Sequence, residues 1–235
     1  MASSLNKRVL VTGASRGIGS SLSKKFIDND YFVVGVSKNN VCEFSNKQYF
    51  ADLNDEISLD RLCQNLSKDK IDICVNVAGI NLISNFLDIS DDDFKSTMQI
   101  NLFAPYKICK SVLPNMINNQ FGRIVNISSV WGKISKQGRA TYSASKFGLD
   151  GLTLALSHEY SSKNILCNSV SPGFVDTDMT RKNLGDSGIK DILKSVPISR
   201  LASPDEISEL IFWLCNSNSY LTGQNIAIDG GFVRA

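Results

Sequence analysis

Short apolar segments alternate with amphipathic helical segments along the whole chain. The strand-like segments lie at residues 8–12, 31–37, 48–51, 71–76, 122–128, 165–171 and 226–229. Between them, apolar residues recur at helical spacing, as in Ile57, Leu62 and Leu66. Alternating strands and helices form a parallel sheet with right-handed crossovers and helices on both faces. We therefore predict one doubly wound α/β domain over residues 1–235, with a seven-stranded parallel sheet.

Composition excludes several classes of protein. The chain has 235 residues, of which 43% are hydrophobic and 20% charged, and its formal net charge is +2. Nothing in this charge favours a nucleic acid or membrane partner, and no apolar run approaches the ~20 residues of a membrane span. The six cysteines form no Cys-x-x-Cys pattern and there is one histidine, which argues against a metal site and for reduced thiols in the cytoplasm.

A glycine-rich turn joins the first strand to the first helix. Glycines at positions 13, 17 and 19 let backbone N–H groups approach a phosphate, and the N-terminus of the helix attracts its charge. The spacing differs from the G-x-G-x-x-G of the usual dinucleotide fingerprint. The predicted phosphate-binding residues are Gly13, Ser15, Arg16, Gly17, Ile18 and Gly19.

The end of the second strand predicts which dinucleotide binds. An acidic residue there would bind a ribose 2′-hydroxyl and repel a 2′-phosphate. Here the strand ends in Ser37 and Lys38, with Arg16 in the first turn, and these groups suit the 2′-phosphate of NADPH. Alternatively, Lys38 simply projects into water. We predict NADP(H), with Asp52 and Leu53 near the adenine, although Asp52 has the alternative of capping the next turn.

A tyrosine and a lysine stand four residues apart on the helix after the fifth strand. Tyr142 and Lys146 therefore lie on the same side of that helix. A nearby ammonium lowers the pKa of a phenol, which would let Tyr142 exchange a proton with a substrate oxygen. Ser129, at the end of a strand, could hydrogen-bond the same oxygen. Such Tyr–Lys pairs also occur by chance, so the argument depends on the other groups nearby.

The candidate groups fall at one edge of the predicted sheet. The glycine turn, Ser37, Asp52, Asn76, Ser129 and Thr177 each follow the carboxyl end of a strand. Ligands bind beyond these ends in doubly wound sheets. If these residues had only structural roles, their occurrence at one edge of the sheet would be a coincidence. We therefore predict that this edge is a binding site.

Taken together, these motifs resemble the classical short-chain dehydrogenase/reductases, which have a Rossmann-type fold. The motifs are Thr12-Gly-x-x-x-Gly-x-Gly19, Asn76-Val-Ala-Gly79, Asn101, Ser129, Tyr142-x-x-x-Lys146 and Pro172-Gly173, within residues 7–233. Val77 stands where the family more often has a second asparagine.

The resemblance implies a role for each motif. Tyr142 would donate the proton, Lys146 would lower its pKa and bind the nicotinamide ribose, and Ser129 would orient the carbonyl. Asn101 would hold a water that relays protons. The other implied cofactor contacts are Asn76, Ala78, Gly79, Pro172, Gly173, Val175 and Thr177. The implied substrate contacts are Trp131, Gln137 and Phe174, although Trp131 has the alternative of packing against its loop.

Within the family, the chain is most similar to 3-oxoacyl-(acyl-carrier-protein) reductases, through the segments 172–179 and 196–201. This implies NADPH-dependent reduction of a 3-oxoacyl thioester, an acyl carrier protein as partner, and a homotetramer or homodimer. The positions that match the carrier-docking residues are Gln120 and Lys163, with Arg123 and Arg139 as substitutes. Residues 180–196 are expected to form a mobile lid.

Two other functions stay open. Asn81, Ser84 and Gln137 lie near the predicted mouth of the site, and such polar groups would suit a keto-sugar or another small biosynthetic ketone. The other is a non-catalytic NADP(H)-binding sensor. The intact set of Ser129, Tyr142 and Lys146 speaks against it, because a sensor needs no proton donor.

Overall fold

The computed structural model describes residues 7–234. Its strands are β1 (Arg8–Thr12), β2 (Phe32–Ser37), β3 (Lys47–Phe50), β4 (Ile73–Asn76), β5 (Gly122–Ile127), β6 (Ile165–Pro172) and β7 (Asn225–Ile228). They form one parallel sheet in the order β3-β2-β1-β4-β5-β6-β7. The direction of strand order reverses between β1 and β4, the position at which doubly wound sheets bind ligands.

Helices connect these strands. They are α1 (Gly17–Ile27), α2 (Glu56–Leu66), α3 (Asp91–Met98), α4 (Ala104–Asn118), α5 (Ala140–Tyr160), α6 (Asp178–Leu193) and α7 (Pro204–Asn216). A π-helical turn at Gln99–Phe103 joins α3 to α4. Of the helices within residues 7–234, none is long and apolar enough to cross a membrane.

The sheet is covered on both faces. Helices α1 and α7 pack on one face through residues such as Phe26 and Ile211, which belong to the same hydrophobic cluster as Val9. Helices α2 and α4 pack on the other face, through residues such as Leu59 and Ile108. Neighbouring strand residues point to opposite faces, so each central strand contributes to both cores. The predicted doubly wound α/β fold with a seven-stranded parallel sheet is confirmed.

The predicted lid is a kinked helix. Thr177 caps α6 by accepting a hydrogen bond from the backbone N–H of Thr180, and Gly185 interrupts the helix with φ +61°. The side chain of Asn183 donates to the backbone carbonyl of Asn81 across the mouth of the site (3.3 Å). The segment 180–196 therefore lies where a lid would, with a helical conformation that its Gly- and Ser-rich composition does not indicate.

Candidate active site

A cavity of about 520 Å³ opens at the carboxyl ends of the strands. Its wall contains the glycine turn, the ends of β2 to β6, the start of α5 and the first turns of α6. The predicted site residues in this wall are Gly13, Ser15, Arg16, Gly17, Ile18, Ser37, Lys38, Asp52, Leu53, Ala78, Gly79, Ser129, Trp131, Tyr142, Lys146, Pro172, Gly173, Phe174, Val175 and Thr177. The parallel sheet thus brings together residues that are far apart in sequence.

The glycine turn is tightly packed and fits a phosphate. Gly13 and Gly17 have φ of +67° and +53°, and a Cβ on Gly13 would lie 3.1 Å from the backbone of Ala78. No side chain caps the N-terminus of α1, so its first N–H groups are available to a ligand. Gly19 is predicted to contact the cofactor, but it is buried behind the turn, where a Cβ would lie 2.1 Å from the Gly13 carbonyl oxygen. Gly19 therefore supports the glycine turn through close backbone packing and does not itself line the cavity.

Three charged groups lie near the end of β2. The Lys38 ammonium forms an ion pair with Asp52 (2.7 Å) and remains largely exposed, and this ammonium lowers the pKa of the Asp52 carboxyl. The exposed guanidinium of Arg16 lies in the same cavity wall. The hydroxyl of Ser37 donates to the backbone carbonyl of Asn40. This end of the cavity therefore presents two cations and one carboxylate.

The asparagine after β4 is structural. The sequence predicts Asn76 as a cofactor contact, whereas the structure buries it and its side chain donates to Asn126 (2.8 Å). Asn126 in turn donates to the hydroxyl of Thr153 (2.9 Å), which ties α5 to the sheet. The hydroxyl of Thr12 accepts hydrogen bonds from the N–H groups of residues 77 and 78 (3.0 and 3.1 Å). These bonds hold the segment 77–79 against the cavity, and the sequence does not reveal them.

Ser129, Tyr142 and Lys146 meet at one end of the cavity. The Lys146 ammonium lies 5.6 Å from the centroid of the Tyr142 ring and donates to the backbone carbonyl of Ile127 (2.7 Å). The hydroxyl of Ser129 accepts a hydrogen bond from the N–H of Trp131 (3.2 Å). The helical spacing and the end of β5 therefore bring the three side chains together, as the sequence predicts.

Burial sets the ionisation of these groups. Desolvation raises the pKa of Tyr142, and the neighbouring Ser129 hydroxyl and the Arg139 charge oppose this rise. Desolvation also lowers the pKa of Lys146 to about 8, against the influence of Asp150. In the structure, the charge of Arg139 lowers the pKa of the phenol, and the effect of Lys146 on this pKa stays a prediction. The phenol therefore holds its proton at neutral pH.

Asn101 lies in the π-helical turn and is fully buried. Its side chain donates to the backbone carbonyl of Ile80 (2.9 Å) and to the hydroxyl of Ser145 (3.0 Å), and it accepts from the N–H of Ile80 (2.9 Å). Both amide hydrogens are thus engaged in fixing the cavity wall beside α5. The water-holding role stays a prediction; π-helical turns are frequent at functional sites.

The substrate end has an aromatic wall. Trp131 and Phe174 line the cavity and pack edge-to-face with each other and with Phe232, with ring centroids 5.2–6.3 Å apart. Trp131 therefore both faces the cavity and packs against its loop. Gln137 is predicted here, but it lies at a smaller surface pocket and donates to Asn85 (3.3 Å). The turn at Gly138, with φ +78°, is followed by Arg139, which enters the cavity wall in place of Gln137.

Of the predicted carrier-docking residues, Gln120, Lys163 and Arg123 do not line this cavity, whereas Arg139 does. Gln120 and Lys163 directly precede β5 and β6, so they lie at the amino ends of the strands, opposite the site. Arg123 and Arg139 are buried, and the Arg123 guanidinium donates to the backbone carbonyls of residues 122 and 164. The expectation that these residues form a basic surface beside the site is wrong for the single chain.

Comparison with known proteins decides the family. A family model described as short chain dehydrogenase matches residues 7–187. The chain belongs to the short-chain dehydrogenase family. The 3-oxoacyl-(acyl-carrier-protein) reductase of Chlamydia muridarum (strain MoPn / Nigg) is 36% identical to this chain, over 97% of this chain and 98% of its own. The resemblance inferred from the motifs is thereby confirmed.

Solved structures of the short-chain dehydrogenase family agree with the fold. A Beutenbergia cavernae protein described as an NAD(P)-dependent gluconate 5-dehydrogenase, with bound NADP, has a TM-score of 0.92 and 27% identity, over 97% of both chains. A 4-hydroxyisoleucine dehydrogenase complexed with NADH has a TM-score of 0.91 and 31% identity, over 98% of this chain and 100% of its own. The chain is therefore an oxidoreductase of alcohol and ketone groups.

Proposed function

We propose that this short-chain dehydrogenase is an NADPH-dependent reductase of 3-oxoacyl thioesters. The observation that carries the proposal is the meeting of Ser129, Tyr142 and Lys146 at one end of a cavity whose other end presents Arg16 and Lys38. Similarity to a 3-oxoacyl-(acyl-carrier-protein) reductase over nearly the whole chain supports the thioester.

The chain's own groups fit the cofactor. The uncapped N-terminus of α1 and the Gly13–Gly17 turn would hold the pyrophosphate, because their N–H groups and the helix dipole favour an anion. Arg16 and Lys38 would bind a 2′-phosphate, and the ion pair with Asp52 keeps the Lys38 ammonium at the cavity edge. A bound reduced nicotinamide would supply the hydride.

Proton transfer is the part that the side chains perform. Ser129 would hold the ketone oxygen, and Tyr142 would donate its proton to that oxygen as the negative charge develops. Because burial raises the pKa of the phenol, the Tyr142 hydroxyl is protonated at neutral pH. Lys146, with a pKa of about 8, is mostly protonated there and would return a proton to the phenolate. Trp131 and Phe174 would keep bulk water from the reacting carbon.

The decisive assay compares substrates and cofactors. Purified protein should oxidise NADPH in the presence of acetoacetyl thioesters of coenzyme A and of acyl carrier protein, and should use NADH less efficiently. The reaction is followed by absorbance of the reduced nicotinamide. Turnover of sugar or cyclic ketones with no turnover of either thioester would reject the substrate class, and equal use of NADH would reject the cofactor preference.

A small polar ketone is the second candidate function. The observation that favours it is the polar substrate end, where Arg139, Asn81 and Asn183 lie in the cavity wall. Two structural neighbours bear the names of hydroxy-acid dehydrogenases, for gluconate and 4-hydroxyisoleucine. A panel of polar ketones in the same assay separates this candidate from the thioester reductase, and the absence of turnover on both would favour the NADP(H)-binding sensor.

The proposed setting is the cytoplasm, and the proposed assembly is a homotetramer built through the elements that hold Asn101 and Tyr142 and through β7. The six cysteines are unpaired thiols, as suits a reducing compartment. Four large apolar side chains along the π-helical turn, α4 and α5 are 40–50% exposed, which suits an interface; they are Phe103, Tyr106, Phe147 and Leu154. An acyl carrier protein would then meet residues of more than one protomer.

A further inference from the structure

A buried cation forms part of the cavity wall beside the proposed proton donor. Only 3% of the Arg139 surface is exposed, and its side chain lines the cavity together with Asn81, Trp131 and Tyr142. Arg139 is the residue directly before α5 and Tyr142 lies in the first turn of that helix, and both side chains line the same cavity. The guanidinium therefore lies next to the place where the ketone would react.

The guanidinium has far fewer partners than it can bind. It donates one hydrogen bond, from Nη1 to the side-chain oxygen of Asn81 (2.8 Å). Its Nε is buried without a hydrogen-bond partner. Within residues 7–234, no carboxylate forms an ion pair with it. An arginine stays protonated even when burial lowers its pKa, as it does here, so this is a buried positive charge without a counter-charge.

Neighbouring groups hold this charge in place and strengthen its field. The Arg139 guanidinium lies 5.6 Å from the centroid of the Trp131 ring, within the range of a cation–π contact. No side chain caps the N-terminus of α5, which begins directly after Arg139, and helix N-termini favour anions. The site is thus preorganised for a negatively charged group that the protein does not provide.

We propose that Arg139 binds the carboxylate of a substrate, so that the enzyme reduces short 3-oxo acids as well as thioesters. This inference rests on the proposed role of Tyr142. The ketone carbon would accept the hydride and the ketone oxygen the proton of Tyr142, while the carboxylate stays unchanged. Each turnover converts one oxo acid and one NADPH, with one proton, into one hydroxy acid and one NADP⁺.

A carboxylate fits this position better than a neutral carbonyl does. A guanidinium binds a carboxylate through two parallel N–H···O bonds, which also neutralise its charge. The oxygen of a thioester carbonyl would accept a hydrogen bond but would leave the buried charge uncompensated, which is costly. In a 3-oxo acid a single carbon separates the ketone from the carboxylate, so one small substrate could present these groups to Tyr142 and Arg139, which line the same cavity.

The test compares acetoacetate with methyl acetoacetate, which has the same ketone and no charge. For the wild type, we expect kcat/KM to favour the acid. In Arg139→Gln the ratio of acid to ester should fall about tenfold to a hundredfold, the loss expected for a charge-assisted hydrogen bond, mainly through KM for the acid. Arg139→Lys should restore part of the ratio. An effect transmitted through Tyr142 would change acid and ester alike and would cancel in the ratio.

The matched control is Lys136→Gln, which removes an exposed positive charge on the same loop, 5.3 Å from the Trp131 ring; it should leave the ratio unchanged. Binding without turnover is a second readout. With NADP⁺ present, butyrate should bind the wild type in calorimetry, butyramide should bind more weakly, and Arg139→Gln should lose this difference.

Three results would overturn the inference: failure of the wild type to reduce acetoacetate, an equal fall for acid and ester in Arg139→Gln, or butyrate binding that does not depend on Arg139. Acetoacetyl thioesters are assayed separately. Reduction of thioesters but not of acetoacetate would refute the role of Arg139 and leave the proposed function intact. Reduction of acetoacetate that depends on Arg139, without reduction of thioesters, would support the role of Arg139 and refute the proposed thioester reductase.

Discussion

Among single residues, Tyr142 has the most direct consequence for chemistry. Its raised pKa keeps the phenol protonated, as the proposed role of proton donor requires, and substitution by phenylalanine removes only the hydroxyl. We expect Tyr142→Phe to lower kcat by about 10²–10⁴-fold, the usual contribution of a general acid, while NADPH binding measured by fluorescence titration is retained. Tyr160→Phe, at the other end of α5, is the control and should keep full activity. Unchanged turnover in Tyr142→Phe would remove Tyr142 from its role.

Asp150 favours the charged form of Lys146, the lysine of the proposed proton transfer. It lies one helical turn after Lys146 and raises the pKa of Lys146, which burial lowers to about 8. Its carboxylate accepts hydrogen bonds from Ser128 (3.0 Å) and Asn225 (2.5 Å). If protonated Lys146 is needed, reduction should decline as pH rises through about 8. Asp150→Asn removes the charge that favours the ammonium, so this decline should move to lower pH.

The pH profile of kcat/KM measures this effect. Asp178→Asn is the control, because Asp178 is an exposed carboxylate at the rim of the same cavity. Its profile should match that of the wild type. An Asp150→Asn profile that coincides with the wild type would show that Asp150 acts only as a structural hydrogen-bond acceptor.

Residue types and spacings predict which side chains form the site only where those side chains lie on a helix or at the end of a strand. Tyr142 and Lys146 meet because both lie on one helix, and Ser129 joins them at the end of a strand. Arg139 and Gln137 show the limit, since the turn at Gly138 decides which side chain enters the cavity. Long-range hydrogen bonds, such as that from Asn76 to Asn126, leave no local pattern in a sequence.

Among the secondary-structure elements, the junction of β1 and α1 tolerates the least change. A Cβ at position 19 would lie 2.1 Å from the carbonyl oxygen of Gly13, which is backbone and cannot rotate away. We expect Gly19→Ala to destabilise the fold by about 1–3 kcal/mol, the range for overpacking, and to weaken NADPH binding because the phosphate cradle shifts. Urea unfolding and fluorescence titration measure the two effects.

A second glycine serves as the control for Gly19. It separates the effect of close packing on the free energy of unfolding from the effect of helix propensity. Gly151 lies in α5, is exposed, and has no neighbour within 4 Å of a Cβ built there. Because Gly151 shares a face of α5 with Phe147 and Leu154, both alanine variants are compared in a Phe147→Glu background, which should leave this face unpartnered. There, Gly151→Ala should be neutral or stabilise the protein by up to about 1 kcal/mol. If both alanine variants changed the free energy of unfolding equally, close packing at Gly19 would not explain its requirement.

The periodicity of apolar residues predicts the elements well and their irregularities poorly. Strands such as β5 and β6 are recognised from clustered apolar residues, for example Ile124 and Val125 in β5 and Ile165 and Leu166 in β6. The capping box of Ser203 and Glu206 marks the start of α7. The π-helical turn at Gln99–Phe103 depends on how Asn101 is held by Ile80 and Ser145. Gly185 interrupts α6 with φ +61°, a conformation that a glycine permits but does not require.

For the whole molecule, the exposed apolar side chains of α4 and α5 predict assembly. Phe147 is 50% exposed in the single chain, on the helix that also carries Tyr142 and Lys146. Burying a charge at an apolar interface is unfavourable, so Phe147→Glu should reduce the proposed homotetramer to smaller species in sedimentation velocity.

The control for assembly must add the same charge elsewhere. Leu87 is 94% exposed and lies in a short helical turn outside α4 and α5, so Leu87→Glu should leave the sedimentation coefficient unchanged. Because the catalytic groups of each chain line a cavity within that chain, dissociation should affect acetoacetyl-coenzyme A less than an acyl carrier protein, whose larger surface would contact a second protomer. A tetramer that persists in Phe147→Glu would place the interface on another face, and equal loss of both activities would contradict a docking surface shared between protomers.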